Sequence, residues 1–167
     1  AVVDAKTQVI VAASVTQETN DKRQLVPMLK EAIVNVCKPE RASADAGYFS
    51  AEAVTDEAIS GIELYVPPDR QKHGETSTSE GSPPAEGLSV ADQMRQALRT
   101  EKGKDTYRMR KAIVEPVFGQ IKEARGFRRF SFRGLAKVSA EWDLVCLTHN
   151  LLKLFRSGWS PELVGTG

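Results

Sequence analysis

The run Tyr107-Arg-Met-Arg-Lys-Ala-Ile-Val-Glu-Pro-Val-Phe-Gly-Gln-Ile-Lys122 limits the fold more than any other part of this chain. Ile113, Val114, Val117, Phe118 and Ile121 recur at helical spacing, so the run reads as a helix with one side against a core. It places one acid, Glu115, in basic and apolar company, and Lys122 follows seven positions later. Seven residues are two turns, which sets Glu115 and Lys122 on one face. The apolar neighbours predict a largely buried helix, where a carboxylate is costly unless it is paired or bound to a metal. Pairing with Lys111 or Lys122 is the structural alternative. Pro116 removes a helical hydrogen bond and is expected to kink the helix just past Glu115.

A second segment, Ala42-Ser-Ala-Asp-Ala-Gly-Tyr-Phe-Ser50, reads as a short strand over 41–46 that ends on Asp45, with Gly47 in the turn after it. Asp45 is either a metal-binding carboxylate held by the strand, with Gly47 admitting substrate or backbone, or an acid that caps the turn. A carboxylate for a metal beside a cation for a phosphate is what cleavage of a nucleic-acid backbone requires.

The charge distribution agrees with such a substrate. Residues 101–133 hold ten Lys and Arg against four Asp and Glu, whereas residues 38–100 hold six against eleven. A basic half is a candidate polyanion surface, and a solvated helix face is the alternative. Within it, Arg125-Gly-Phe-Arg-Arg-Phe-Ser-Phe-Arg133 interleaves arginines with phenylalanines. The arginines suit phosphates, and the phenylalanines suit either bases or the core, with the core preferred.

Elsewhere the pattern alternates strand and helix. Two β-branched runs flank a turn at Asp4-Ala-Lys-Thr7, and a strand at the first residue suggests that the chain is cut from something longer. An amphipathic helix is expected over 23–37, stopped by Pro39, and another over 50–60 capped by Ser50. A strand over 62–66 ends at Pro67-Pro68. Residues 69–87 read as an exposed polar insertion. Ser89-Val-Ala-Asp92 is a capping-box pattern that opens a helix to about Thr100. Two long helices, 105–124 and 135–156, finish the chain before a short tail at 158–167. The domain is expected to span 1–157.

A hydrophobic content of 41% and a charged content of 27% are those of a globular protein. No apolar run approaches the roughly 18 residues of a membrane span. Neither this nor a secretory leader being evident, a cytoplasmic protein is expected. Cys37 and Cys146 each fall in an apolar helical pattern and are expected to be buried free thiols. His73 and His149 lack a second ligand at zinc spacing.

Ala44-Asp-Ala-Gly-Tyr-Phe-Ser50 with Val114-Glu-Pro-Val-Phe-Gly-Gln-Ile-Lys122 resembles the C-terminal half of bacterial insertion-sequence transposases of the DDE class. Arg125-Gly-Phe-Arg-Arg-Phe130, Arg133-Gly-Leu135, Thr148-His-Asn-Leu-Leu-Lys153, Gln8-Val-Ile-Val-Ala-Ala13 and Asn20-Asp-Lys-Arg-Gln-Leu-Val-Pro-Met-Leu29 extend the resemblance over nearly the whole chain. It implies an α/β, RNase H-like mixed sheet flanked by helices, with its first strand missing here and a C-terminal helical pair. It also implies Asp45 and Glu115 as two of three carboxylates that hold two Mg2+ or Mn2+ ions. The first catalytic Asp is not found; Asp4, the one early acid, sits in a turn. The family signature Tyr-(2)-Arg-(3)-Glu-(6)-Lys keeps its Glu and Lys, but Lys111 stands at the Arg place and Arg108 at the Tyr place. Tyr107 and Arg110 each lie one position early.

By the same resemblance the intact enzyme uses a metal-activated water to cut a phosphodiester at the transposon end, and the freed 3′-hydroxyl attacks target DNA. Lys122, Lys111, Arg125, Arg128 and Arg129 would contact the double-stranded DNA of ends and target. The protein would be a homo-oligomer when assembled on DNA, at the nucleoid of a bacterial cytoplasm. The chain alone is expected to be inactive. A non-catalytic DNA-binding or assembly module derived from a transposase is the alternative, and a small hydrolase unrelated to nucleic acid a more distant one.

Overall fold

The computed structural model describes residues 1–69 and 87–158. The polar insertion expected over 69–87 therefore lies outside the described residues except for its two ends, as does the expected tail beyond Gly158. The chain divides into two compact units, one of Ala1–Gln17 with Ile113–Gly167 and one of Glu18–Ala112.

The first unit begins with an antiparallel hairpin, β1 (Val2–Val3) and β2 (Ile10–Ala12), with Val2 opposite Ala12 and Val3 opposite Ile10. Asp4 ties its turn: one carboxylate oxygen accepts from the Thr7 amide at 2.7 Å, the Thr7 hydroxyl at 2.6 Å and the Lys6 amide at 3.2 Å. Those bonds, the Thr7 hydroxyl first, hold the Asp4 carboxyl below its ordinary range. An acid so engaged is a turn residue, as its place in the sequence suggests.

The hairpin is held by the last helix of the same unit, Leu135–Arg156, called α5 below. The Asn150 side chain accepts from the Ile10 amide at 2.9 Å and donates to the Ile10 carbonyl at 2.8 Å. One amide thus satisfies both backbone groups of a strand residue, as a neighbouring strand would. One residue earlier, fully buried His149 places Nε2 3.0 Å from the Gln8 carbonyl. A carbonyl only accepts, so Nε2 carries the hydrogen. Lys153 donates to the Gln8 side chain at 2.7 Å. Ile10, Val117, Ile121, Trp142 and Cys146 form the core beneath. Complete burial of Val117 and Ile121 contributes about 2 kcal/mol each.

In the second unit, α1 (Leu25–Asn35) buries Leu25, Met28, Leu29 and Ala32, the inward stripe its spacing predicts. The parallel pair β3 (Arg41–Ser43) and β4 (Glu63–Tyr65) joins Arg41 to Glu63, Ala42 to Leu64 and Ser43 to Tyr65. Between them, α2 (Ala51–Val54) is capped by Ser50, whose hydroxyl accepts from the Ala53 amide at 3.1 Å. It stops short of the expected Ser60 because Asp56 caps a separate turn, Glu57–Ile59. Leu25, Leu29, Ala53, Ile59, Ile62 and Val66 make this unit's core. Helix α3 (Val90–Arg99) starts at Ser89, whose hydroxyl accepts from the Asp92 amide as a capping box predicts, while the Asp92 carboxylate accepts from that hydroxyl rather than from the Ser89 amide. At the start of α4 (Glu101–Gly119), Gly103 packs so closely that a Cβ would lie 2.0 Å from the Ala97 carbonyl oxygen.

The mixture of helix and strand is as expected. A single mixed sheet is not what the described residues form: their strands make two separate two-stranded ladders. Each strand is two or three residues long, because Asp4 and Asp45 turn the chain at once. The expected helix 105–124 starts four residues earlier, runs through Pro116, and widens into a π turn at Gln120–Ala124. Cys37 corrects another expectation. Helix α1 ends before it, and its thiol is exposed; only Cys146 is buried, and both are free.

Candidate functional site

Asp45 and Glu115 fall in different units, and their surroundings differ in kind. Asp45 follows β3 directly: the Ala44 amide still bonds to the Tyr65 carbonyl, and the Asp45 carbonyl then accepts from the Tyr48 amide at 3.0 Å. Its side chain makes no capping bond. It pairs instead with Arg110 of α4, Nη1 to Oδ1 at 2.8 Å, so the turn-capping alternative holds for the backbone alone. The Arg110 side chain is 16% exposed and that of Asp45 is 61% exposed. The guanidinium lies 5.1 Å from the Tyr107 ring centre, and its Nε is buried without a hydrogen-bond partner among the described residues.

Two phenols flank this pair. Burial pushes the Tyr107 hydroxyl above its ordinary range, and Asp45 adds to this while Arg110 opposes it. Burial, then Asp21 and Asp45, do the same for Tyr48. Gly47 imposes no steric demand here, since a Cβ would meet only the Asp21 carboxylate at 4.0 Å, an ordinary contact. Tyr107 and Arg110 thus gather at Asp45 although they stand one place early in the family signature. Their spacing of three puts them on one helix face, which the sequence shows. That this face meets Asp45 is tertiary, and no local pattern signals it.

Glu115 overturns the buried-helix expectation. Val117 and Ile121 are buried, but Glu115 and Pro116 are exposed, and Glu115 makes no ion pair among the described residues. The inward stripe needs only every fourth residue, 113, 117 and 121, which leaves 115 on the other side. Lys122 is exposed too, its Nζ 5.8 Å from the Phe118 ring centre. Lys111, Arg125, Arg128 and Arg129 are also exposed. Arg125 reaches the Val145 carbonyl at 3.4 Å, and Arg128 pairs with Glu123.

The basic loop is anchored rather than loose. Glu141 of α5 accepts from the Ser131 amide at 2.9 Å and the Phe132 amide at 3.2 Å. Its phenylalanines divide: Phe127 is half-buried, Phe130 is 39% and Phe132 58% exposed. Phe127 and Phe130 meet edge-on at 5.4 Å, and each lies 6.4 Å from Trp142. Beside them opens a cavity of about 410 Å³ with Phe118 and Trp142 in its wall and Lys122 and Arg129 at its lip. Aromatic walls with cationic rims suit a nucleic-acid strand.

As hard oxygen donors open to solvent, both carboxylates are of a kind a divalent cation takes. Among the described residues no three His, Cys, Asp or Glu side chains gather to hold one, and an Asp45 oxygen already serves Arg110.

No helix among the described residues is long and apolar enough to cross a membrane. Searches of curated proteins and of solved structures gave no significant match. The model of one family does match: the transposase DDE domain, over residues 70–155, which takes in Glu115, Lys122 and the whole basic loop but not Asp45. Proteins with this domain are transposases; their substrate is DNA, and they generally use divalent metals. With just over half of its 167 residues matched, this chain belongs to the transposase DDE domain family.

Proposed function

We propose that this chain supplies part of the RNase H-like catalytic core of a DDE transposase that cuts DNA at transposon ends and joins it to a target. The family match carries the reading, because the span it covers contains Glu115, Lys122 and the exposed arginines. An antiparallel hairpin followed by a helix and a parallel strand pair, in that chain order, supports the RNase H-like fold, of which residues 1–157 would be a part. Asp45 and Glu115 are two of the carboxylates that hold two Mg2+ or Mn2+ ions in the assembled enzyme. The ions supply an activated water and neutralise charge on the phosphate. Lys122, Lys111, Arg125, Arg128 and Arg129 hold DNA phosphates, and the active form is a homo-oligomer on DNA in the bacterial cytoplasm.

On its own the chain is catalytically inactive in this reading, because the resemblance supplies only two of the three carboxylates. The test is DNA binding and nicking by the purified chain. Expected are no nicking, binding that weakens steeply with salt, and a gain in affinity on adding Mn2+ that Asp45→Ala and Glu115→Ala each remove. Metal-dependent nicking would overturn the inactivity, and salt-insensitive or absent binding would overturn the DNA role. The exposed, anchored arginine loop favours one competing reading, a non-catalytic DNA-binding or assembly module. That reading requires salt-sensitive binding which neither substitution changes.

A further inference from the structure

The carboxylate read as a metal ligand already holds a cation. Arg110 Nη1 stands 2.8 Å from Asp45 Oδ1, and both residues belong to one unit, so the pair needs nothing from Glu115. The partners are unequal: the Asp45 side chain is open to solvent, whereas that of Arg110 is mostly covered. An exposed carboxylate gains little from a pair that water screens. A largely buried guanidinium, by contrast, needs its counter-charge.

Packing as well as attraction keeps Arg110 there. Tyr107 stands one turn before it on the same face of α4, with the guanidinium 5.1 Å from its ring centre. Tyr107 itself packs against the core of Tyr65, Met94 and Leu98. The pose is nonetheless incomplete. Arg110 Nε is buried and has no acceptor among the described residues. An unused buried donor is a standing cost, so this guanidinium is easier to displace than a fully bonded one.

A divalent ion and Arg110 cannot share Asp45 freely. The carboxylate is reachable from solvent, so an ion can approach it, but the ion then meets a fixed positive charge beside it. Each cation lowers the affinity of the other, and the effect is reciprocal.

We propose that Arg110, held in place by Tyr107, is a resident counter-cation at Asp45 that competes with divalent metal and is displaced when the metal loads. The proposal rests on the reading of Asp45 as a metal ligand, and it adds the two positioning residues that decide when that ligand is free.

Mn2+ binding to the purified full chain, read from the electron paramagnetic resonance of the free ion, tests it apart from any activity. Arg110→Gln should bind Mn2+ about tenfold more tightly than the wild-type chain, within the roughly 5–150-fold range of coupled sites. Adding Asp45→Asn to that variant should remove the gain, and Arg110→Lys, which keeps the charge, should show less of it. Arg108→Gln makes the same change in net charge on the same helix, where Arg108 pairs with Asp105, and should alter affinity by less than about twofold. A gain in Arg108→Gln equal to that in Arg110→Gln overturns the proposal, because net charge would then explain both. Asp45-dependent binding that Arg110→Gln leaves unchanged overturns the proposal and leaves the metal reading standing. An absence of Asp45-dependent binding in every variant overturns both. Should Arg110→Gln misfold, the wild-type chain decides: adding Mg2+ should speed hydrogen exchange at the Arg110 Nε–H, followed by nitrogen-15 NMR. An Nε–H that ignores Mg2+ at every concentration overturns the displacement.

Discussion

Asp45 and Glu115 enter as a matched pair of carboxylates, yet the two regions treat them differently. Asp45 is neutralised by a largely buried arginine that is itself stacked on Tyr107. Glu115 stands in solvent with no counter-ion among the described residues. The cysteines repeat the contrast: Cys37 is exposed, while Cys146 lies in the core, where burial pushes its thiol up to about 11. A residue type names the chemistry available; the neighbours decide whether it is already spent.

The largest effect expected from this contrast is in thiol labelling. At pH 8 the folded chain should react with a thiol reagent at one site, and Cys37→Ser should abolish the fast phase, since Cys146 holds its proton and is closed to reagent. Equal rates for both would erase the difference between the regions. Next in size, Asp45→Ala should cost about 1.5 kcal/mol in urea denaturation, because it strips the partner from a mostly buried guanidinium. Adding Arg110→Met to that variant should recover part of the loss, a coupling of about 1 kcal/mol that would be absent if the pair were merely superficial. Glu115→Ala should change stability by less than about 0.5 kcal/mol, and a larger loss would reveal a partner for it.

Asp4 gives the smallest and most specific effect. Its folded carboxyl titrates below its ordinary range, so its turn bonds stabilise the fold fully above the unfolded value. That contribution fades as pH falls through the lower folded value. Asp4→Asn should therefore flatten the acid limb of stability against pH and leave neutral behaviour little altered. An unchanged acid limb would show the turn to be held by other means.

Periodicity and caps made much of the fold legible. The last helix was readable from Leu135 to Arg156, both of its observed limits, because Gly134 sits before it at a φ of 85° that a side chain resists. Ser50 and Ser89 cap the helices that their sequence positions announce. What stayed hidden depends on distant partners or on small margins. Arg110 is 65 positions from Asp45, and no local rule pairs them. The exposed side of α4 was obscured because its apolar residues outnumber those needed for one stripe. Cys37 was misread because the apolar rhythm of α1 outlasts the helix, leaving Val36 beyond its end and 65% exposed. The loop arginines Arg125, Arg128 and Arg129, singled out by their interleaving with phenylalanines, are exposed, but exposure alone assigns them no ligand.

The grip of Asn150 on Ile10 also sets an order of events during synthesis. The strand finds its backbone partner 140 positions later in the chain, on α5. Until that helix emerges, the hairpin has two or three residues of pairing and no core to lie on. A hairpin so small is not stable by itself. This unit therefore closes only after α5 has emerged, and a nascent chain stalled before Asn150 would present an open strand to proteases and chaperones.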